Sequence, residues 1–256
     1  MNVMIFDIET IPDVEAGRRL YGLDGLSDED VGKAMQQLRV QKTGRDFMAH
    51  HLHRIVAISI VFRHAEHVNV WSLGDPSAPE EELIQRFFDG LDKYTPTLVS
   101  WNGSGFDLPV IHYRSLLHAI AAPRYWETGD EDTSFRYNNY LNRFQWRHID
   151  LMDVLAGYQM RAAAPLDEVA TLLGFPGKMG MSGAKVWDAW LAGEIEDIRN
   201  YCETDVLNTY LVYLRFELMR GHLTEDAMLR EFELLRNMLE QSGKPHLIEF
   251  GEAWAV

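Results

Sequence analysis

The 256 residues contain a single cysteine, Cys202. An intrachain disulfide is therefore excluded, and a zinc site built on thiolates lacks ligands. A reducing, cytoplasmic compartment is the resulting expectation. No stretch approaches the roughly 18 consecutive apolar residues of a membrane span. The opening M-N-V-M-I-F-D has neither the basic segment nor the long apolar stretch of a secretory signal, so a soluble protein with no membrane partner is expected. Cations are also scarce: 24 Lys plus Arg stand against 39 Asp plus Glu, a net charge of −15. That balance excludes a basic clamp for nucleic acid, because each phosphate contact needs a cation to replace released counterions. It leaves room for an enzyme that grips a few nucleotides through bound metal ions. Apolar residues are plentiful at 46%, with 11% aromatic, enough for a substantial core, so disorder and small disulfide scaffolds are excluded.

Val3 to Phe6 is an apolar run that ends at Asp7, as buried strands do. Residues 55–62, I-V-A-I-S-I-V-F, are β-branched enough for a second strand, and His67 to Leu73 alternates as a third, close enough behind to form a hairpin. Pro79 and three glutamates open a helix with Leu83, Phe87 and Leu91 on one stripe. Residues 97–101 form a fourth strand, followed by N-G-S-G and a helix with Pro109 near its start. A fifth strand lies within 147–155, leading through Ile149 towards Asp150. A long helix runs from Glu194 to about Arg220, and Thr224 caps a last helix that stops near Gly243 and Pro245. This order predicts an α/β fold on a mixed sheet flanked by helices. One domain over 1–256 is expected, with insertions at about 12–53 (helical around 28–39) and 121–146, and a C-terminal helical extension at about 222–256.

Three segments carry candidate chemistry. Asp7 and Glu9 stand one residue apart at the end of a strand; if the strand persists, both point to one face. Two carboxylates so close repel unless a proton or cation separates them, and a divalent cation does this best. A simple turn cap competes about evenly as an explanation. Asp107 follows W-N-G-S-G-F at the start of a helix, where glycines let backbone approach a ligand and an acid also serves as an ordinary N-cap. Tyr201 and Asp205 share one face of the long helix, a pairing that on its own is commonplace.

Taken together, F-D-I-E-T, W-N-G-S-G-F-D-L-P and Y-C-E-T-D resemble, in order and context, the three motifs of DEDD 3′-5′ exonucleases. The Tyr-x-x-x-Asp spacing marks the branch with Tyr in place of His. The likeness is greatest to predicted 3′-5′ exonucleases related to the proofreading domain of family B DNA polymerases, and it spans roughly residues 1–220. H-R-I-V-A-I-S-I and R-H-I-D-L-M-D-V-L also look like that group, while 256 residues hold only a nuclease module. The resemblance implies a ribonuclease H-like fold with a mixed five-stranded sheet. It also implies that Asp7, Glu9, Asp107 and Asp205 hold two Mg²⁺ or Mn²⁺ ions. In that pattern Asp7 bridges, Glu9 and Asp205 complete the nucleophile-side ion, Asp107 supports the other, and Tyr201 orients the attacking water. Backbone at Ile8 and the Thr10 side chain would grip the terminal 3′-hydroxyl, with Asn102 and Phe106 lining the same cleft. The implied partners are 3′ ends of single-stranded DNA, or RNA, and the products 5′-mononucleotides. The alternative is a nucleic-acid-binding or scaffold module that keeps the motifs with little activity. A phosphatase using Asp7 as nucleophile needs a second Asp where Glu9 stands.

The insertion interleaves Tyr125, Trp126, Phe135, Tyr137, Tyr140, Phe144 and Trp146 with Arg124, Arg136, Arg143 and Arg147. Such rings hold single strands by stacking, but packing of a small subdomain or a dimer contact explains them slightly better, since Glu127, Asp130, Glu131 and Asp132 would repel phosphates. His51 and His53 lack further metal ligands. Residues 174–183 miss the P-loop spacing and are expected to be an ordinary connection, with Lys178 or Lys185 touching backbone phosphate as the alternative. Asp150 and Asp153 are expected to be solvated or capping, and Cys202 to be packing.

Overall fold

The computed structural model describes residues 1–254. Strands β1 (Asn2–Pro12), β2 (His53–His64), β3 (His67–Ser72), β4 (Thr97–Ser100) and β5 (His148–Asp150) form a five-stranded sheet ordered β3-β2-β1-β4-β5. β2 runs antiparallel to β1 and β3, whereas β1, β4 and β5 are parallel. The helices are α1 (Val14–Tyr21), α2 (Asp28–Thr43), α3 (Glu80–Tyr94), α4 (Asp107–His118), α5 (Pro123–Trp126) and α6 (Leu151–Leu155). They continue with α7 (Leu166–Leu172), α8 (Val186–Leu191), α9 (Ile195–Met219), α10 (Glu225–Gln241) and α11 (Pro245–Ala253). None is long and apolar enough to cross a membrane. This is the ribonuclease H-like α/β arrangement that the motifs imply.

The alternation of β1 organises the molecule. Val3 and Ile5 point to the face covered by α9, where they meet Val206, Leu207 and Tyr210. Met4, Phe6 and Ile8 point to the opposite face, against Phe87 of α3 and Ile111 of α4. The strand does not end at Asp7, as its apolar run suggests. Pairing with β2 continues to Pro12, because a central strand bonded along its length tolerates two acids. Asp7 and Glu9 therefore keep the parity of Val3 and Ile5 and face α9. A bulge between Glu9 and Thr10 skips Val56 on β2 and re-aims the side chains from Thr10 onward.

Other boundaries differ in instructive ways. β5 has only three residues, since Asp150 caps α6 immediately: its side chain accepts the Asp153 N–H. The stretch 12–53 holds a helix before the expected one, opened by Asp13 accepting the Ala16 N–H and closed by Gly22 at φ 64°. Thr224 caps α10 as anticipated, but that helix is not the last. After Gly243 the chain restarts at Pro245, and α11 is tied down because Lys244 and His246 both bond Glu203 of α9, at 3.0 and 2.8 Å. In 121–146, Tyr125, Phe135 and Tyr140 are buried, and Arg124 and Arg147 lie over the Phe135 ring at 5.2 and 3.9 Å. Those rings are packing. Trp126, Tyr137 and Phe144 remain exposed.

Candidate active site

The two acids of β1 meet the others through simple topology. β4 stops at Ser100, so the Ile8 N–H on that side of β1 loses its strand partner; the Asp107 carboxylate, on the first turn of α4, accepts it at 3.1 Å. The turn that brings Asp107 there needs its glycines. A Cβ on Gly103 would lie 2.6 Å from Ser100 Cβ. Asp150 pins the same turn, its two oxygens accepting the Asn102 and Ser104 N–H groups at 2.9 Å each. From the other side, α9 presents Tyr201, Cys202 and Asp205. Cys202 is fully buried, and its thiol donates towards Asp7, with Sγ 3.6 Å from Oδ2. Ligand atoms of Asp7, Glu9 and Cys202 lie within 4.8 Å of one another.

Both acids of β1 feel the charges of Asp107 and Asp205. Burial, then the charges of Asp107, Glu9 and Asp205, pushes Asp7 well above the usual carboxylate range. Glu9 is raised well above it too, by burial and then by Asp205 and Asp107, with Lys178 opposing. Burial lifts Asp107 to about 7 against the N–H groups it accepts, and Asp205 to about 6 against the Tyr201 phenol and Lys178. The Tyr201 phenol is itself raised by burial and by Asp205, so it stays protonated. Cys202 is likewise raised, by burial and then by Asp7; as a neutral thiol it is a donor to Asp7. The mutual repulsion is what divalent cations relieve, and carboxylate oxygens are the hard donors that Mg²⁺ and Mn²⁺ prefer. The donor set therefore fits such ions.

Beside Glu9 lies a cavity of about 380 Å³, lined among others by Ile8, Thr10, Phe47, Phe106 and Trp187. Phe106 packs edge-on against His53 at 5.0 Å and beside Phe47 at 5.4 Å. Asn102 does not share this cavity. At φ 63° it turns to the other side of the loop and lines a second one with His112 and Trp126. The 12–53 segment supplies residues that sequence alone did not assign to the site. His53 is one: its Nδ1 lies 2.8 Å from Thr10 Oγ1 and its Nε2 3.4 Å from the Met48 carbonyl. Only strand register places it there. Lys178, an exposed side chain on the 174–182 loop, is electrostatically coupled to Glu9 and Asp205. Its loop is clasped by Asn208, which accepts the Gly177 N–H at 3.1 Å and donates to the Gly177 carbonyl at 2.8 Å.

Comparison with known proteins fits this geometry. A DNA polymerase of Archaeoglobus fulgidus is 26% identical over 154 residues, which cover 59% of this chain and 19% of that protein's length. The model of the predicted 3′-5′ exonucleases related to the exonuclease domain of PolB matches residues 45–254. The matched segment includes Asp107, Tyr201 and Asp205 and begins after Asp7 and Glu9, which the fold brings to them. With most of its length matched, the chain belongs to this predicted 3′-5′ exonuclease family.

Proposed function

We propose that the protein removes nucleotides one at a time from the 3′ end of single-stranded nucleic acid, DNA before RNA, and releases 5′-mononucleotides. Asp7, Glu9, Asp107 and Asp205 would hold two Mg²⁺ or Mn²⁺ ions. The observation that carries this reading is the meeting of Asp7 and Glu9 of β1 with Asp107 of α4, which accepts the Ile8 N–H between them, and with Asp205 of α9; the charges of Asp107 and Asp205 both raise the pair on β1. When bound, the ions neutralise the scissile phosphate, activate water and stabilise the departing 3′-oxygen.

The protein's own groups do the rest. Tyr201, held protonated beside Asp205, orients the attacking water through its hydroxyl. Lys178 offers a cation to the phosphate as it approaches Glu9 and Asp205. At the terminal sugar, the Ile8 N–H is already given to Asp107, so the grip falls to Thr10. His53 is kept neutral by burial, its pKa lowered to about 4. With Nε2–H facing the Met48 carbonyl, its Nδ1 accepts the Thr10 hydroxyl hydrogen. The Thr10 oxygen is then free to accept from the terminal 3′-hydroxyl. A cavity of about 380 Å³ walled by Phe47 and Phe106 takes one unpaired nucleotide and refuses a duplex end. The preference for DNA rests on the relative, a DNA polymerase.

Incubating 5′-labelled single-stranded DNA and RNA of matched sequence with Mg²⁺ or Mn²⁺ should give ladders shortened from the 3′ end, faster for DNA. EDTA should abolish them; persistence in EDTA would remove the ion assignment. A binding module would retain the oligonucleotide without shortening it.

A further inference from the structure

The second cavity, about 500 Å³, lies across the β4–α4 loop from the first and has aromatic walls: His112 of α4, Tyr125 and Trp126 of α5, and Tyr140. Its volume suits a drug-sized ligand. His112 stands between the other rings, 5.1 Å from Tyr125 and 5.0 Å from Trp126. Its Nε2 is shut off from solvent without a hydrogen-bond partner. A buried polar atom left unpaired destabilises the fold and calls for an explanation. The acids in the wall are already engaged, Asp150 by the Asn102 and Ser104 N–H groups and Asp153 by Arg143. Trp126 is 52% exposed and Met160 70% exposed, so the mouth is open and apolar.

We propose that this cavity is a nucleobase subsite: it takes one unstacked base of the substrate strand, upstream of the bond being cut, against Trp126 and the rings packed behind it. The inference rests on the exonuclease reading and extends it to a second nucleotide. Continuity argues for this occupant. The loop 101–106 separates the cavities, with Phe106 on the side of Glu9 and Thr10 and Asn102 and Gly105 on this one. A strand whose last nucleotide sits beside Thr10 passes over that loop, and its preceding nucleotides arrive on the Trp126 side. Charge argues for it as well. At a net −15 the protein has few cations for phosphates, and stacking holds a single strand through its bases instead.

Two readouts test the subsite. In the first, an oligonucleotide carries the fluorescent base 2-aminopurine at successive positions upstream of the 3′ end and binds an Asp205→Asn background that does not turn over. Emission should change at one upstream position in particular, and Trp126→Ala should remove that change and weaken binding about 5- to 150-fold, as loss of one stacked base does. If no upstream position responds to Trp126→Ala, the proposal is wrong. In the second, His112→Phe removes the unpaired nitrogen while keeping the ring. It should raise Tm and leave oligonucleotide binding unchanged, because the ring behind Trp126 is kept; binding lost as fully as in Trp126→Ala would assign the Trp126 effect to the fold around His112 and overturn the subsite. Failure of the exonuclease reading looks different, since wild-type protein would then shorten no strand at all. If it shortens strands and Trp126→Ala leaves the ratio of oligonucleotide to nucleotide-ester kcat/KM unchanged, only the subsite falls.

Discussion

A carboxylate that is raised in pKa by its neighbours stabilises nothing until a cation joins it, and this gives single residues two opposite effects. Asp205 sits at about 6 because burial, helped by the charge of Asp167, outweighs the Tyr201 phenol and Lys178. Asp205→Asn should therefore lower kcat by several orders of magnitude while stabilising the metal-free protein at neutral pH, on the order of 2 kcal/mol. Urea melts with EDTA present, set beside single-turnover rates, check both halves; a variant less stable than wild type in EDTA would contradict the repulsive cluster. Tyr201→Phe should lower kcat and leave metal affinity by calorimetry unchanged, because in the proposed mechanism the phenol acts on water. In the sequence the four acids and Tyr201 are picked out by the likeness of their three segments to exonuclease motifs, since each spacing alone is commonplace. Cys202 and His53 are not. The thiol reaches Asp7 only because it shares the buried face of α9, and His53 reaches Thr10 only through the pairing of β1 with β2 past a bulge. No local pattern encodes either contact.

Among the elements, the turn between β4 and α4 has the most to hold in place. It delivers Asp107 to Ile8, divides the two cavities, and depends on one carboxylate for two of its N–H groups. Asp150→Ala leaves the Asn102 and Ser104 donors unpaired, and each such loss costs about 1 to 3 kcal/mol. The expected result is a clear drop in urea midpoint together with a fall in kcat/KM, and an unchanged kcat/KM would show that Asp107 is positioned without this anchor. From sequence, Asp150 reads as solvated or capping; it does cap α6, but its second duty spans strands and shows only in three dimensions. The same limit explains the element boundaries. β1 reads as if it stops at Asp7 because hydrophobicity is a proxy for burial, whereas strand continuity is set by backbone bonds to β2 that side chains do not reveal. The β-branched run of β2 and the stripe of α3 are legible because there the proxy and the cause coincide.

At the scale of the whole molecule, the acidic cluster links folding to pH and to metal. In the metal-free state the folded pKa values of Asp7 and Glu9 lie well above, and those of Asp107 and Asp205 at about 7 and 6 against about 4 for an unfolded carboxylate. Between those limits the native state binds more protons than the unfolded chain, so stability falls as pH rises. Below about pH 4 both states are protonated and the penalty vanishes; above about pH 7 Asp107 and Asp205 contribute it almost in full. Melting in EDTA should therefore show Tm declining from about pH 5 to about pH 8, where carboxylates paired with cations give the reverse slope. Millimolar Mg²⁺ binds the ionised form of the native state alone, so it should raise Tm most at the alkaline end and flatten the profile. Replacing Asp107 and Asp205 together with Asn should remove their share of the EDTA slope, which ends near pH 7, leave that of Asp7 and Glu9, and abolish most of the Mg²⁺ response. If the double variant keeps the full wild-type slope and Mg²⁺ response, the four carboxylates are not the group whose repulsion the cations relieve.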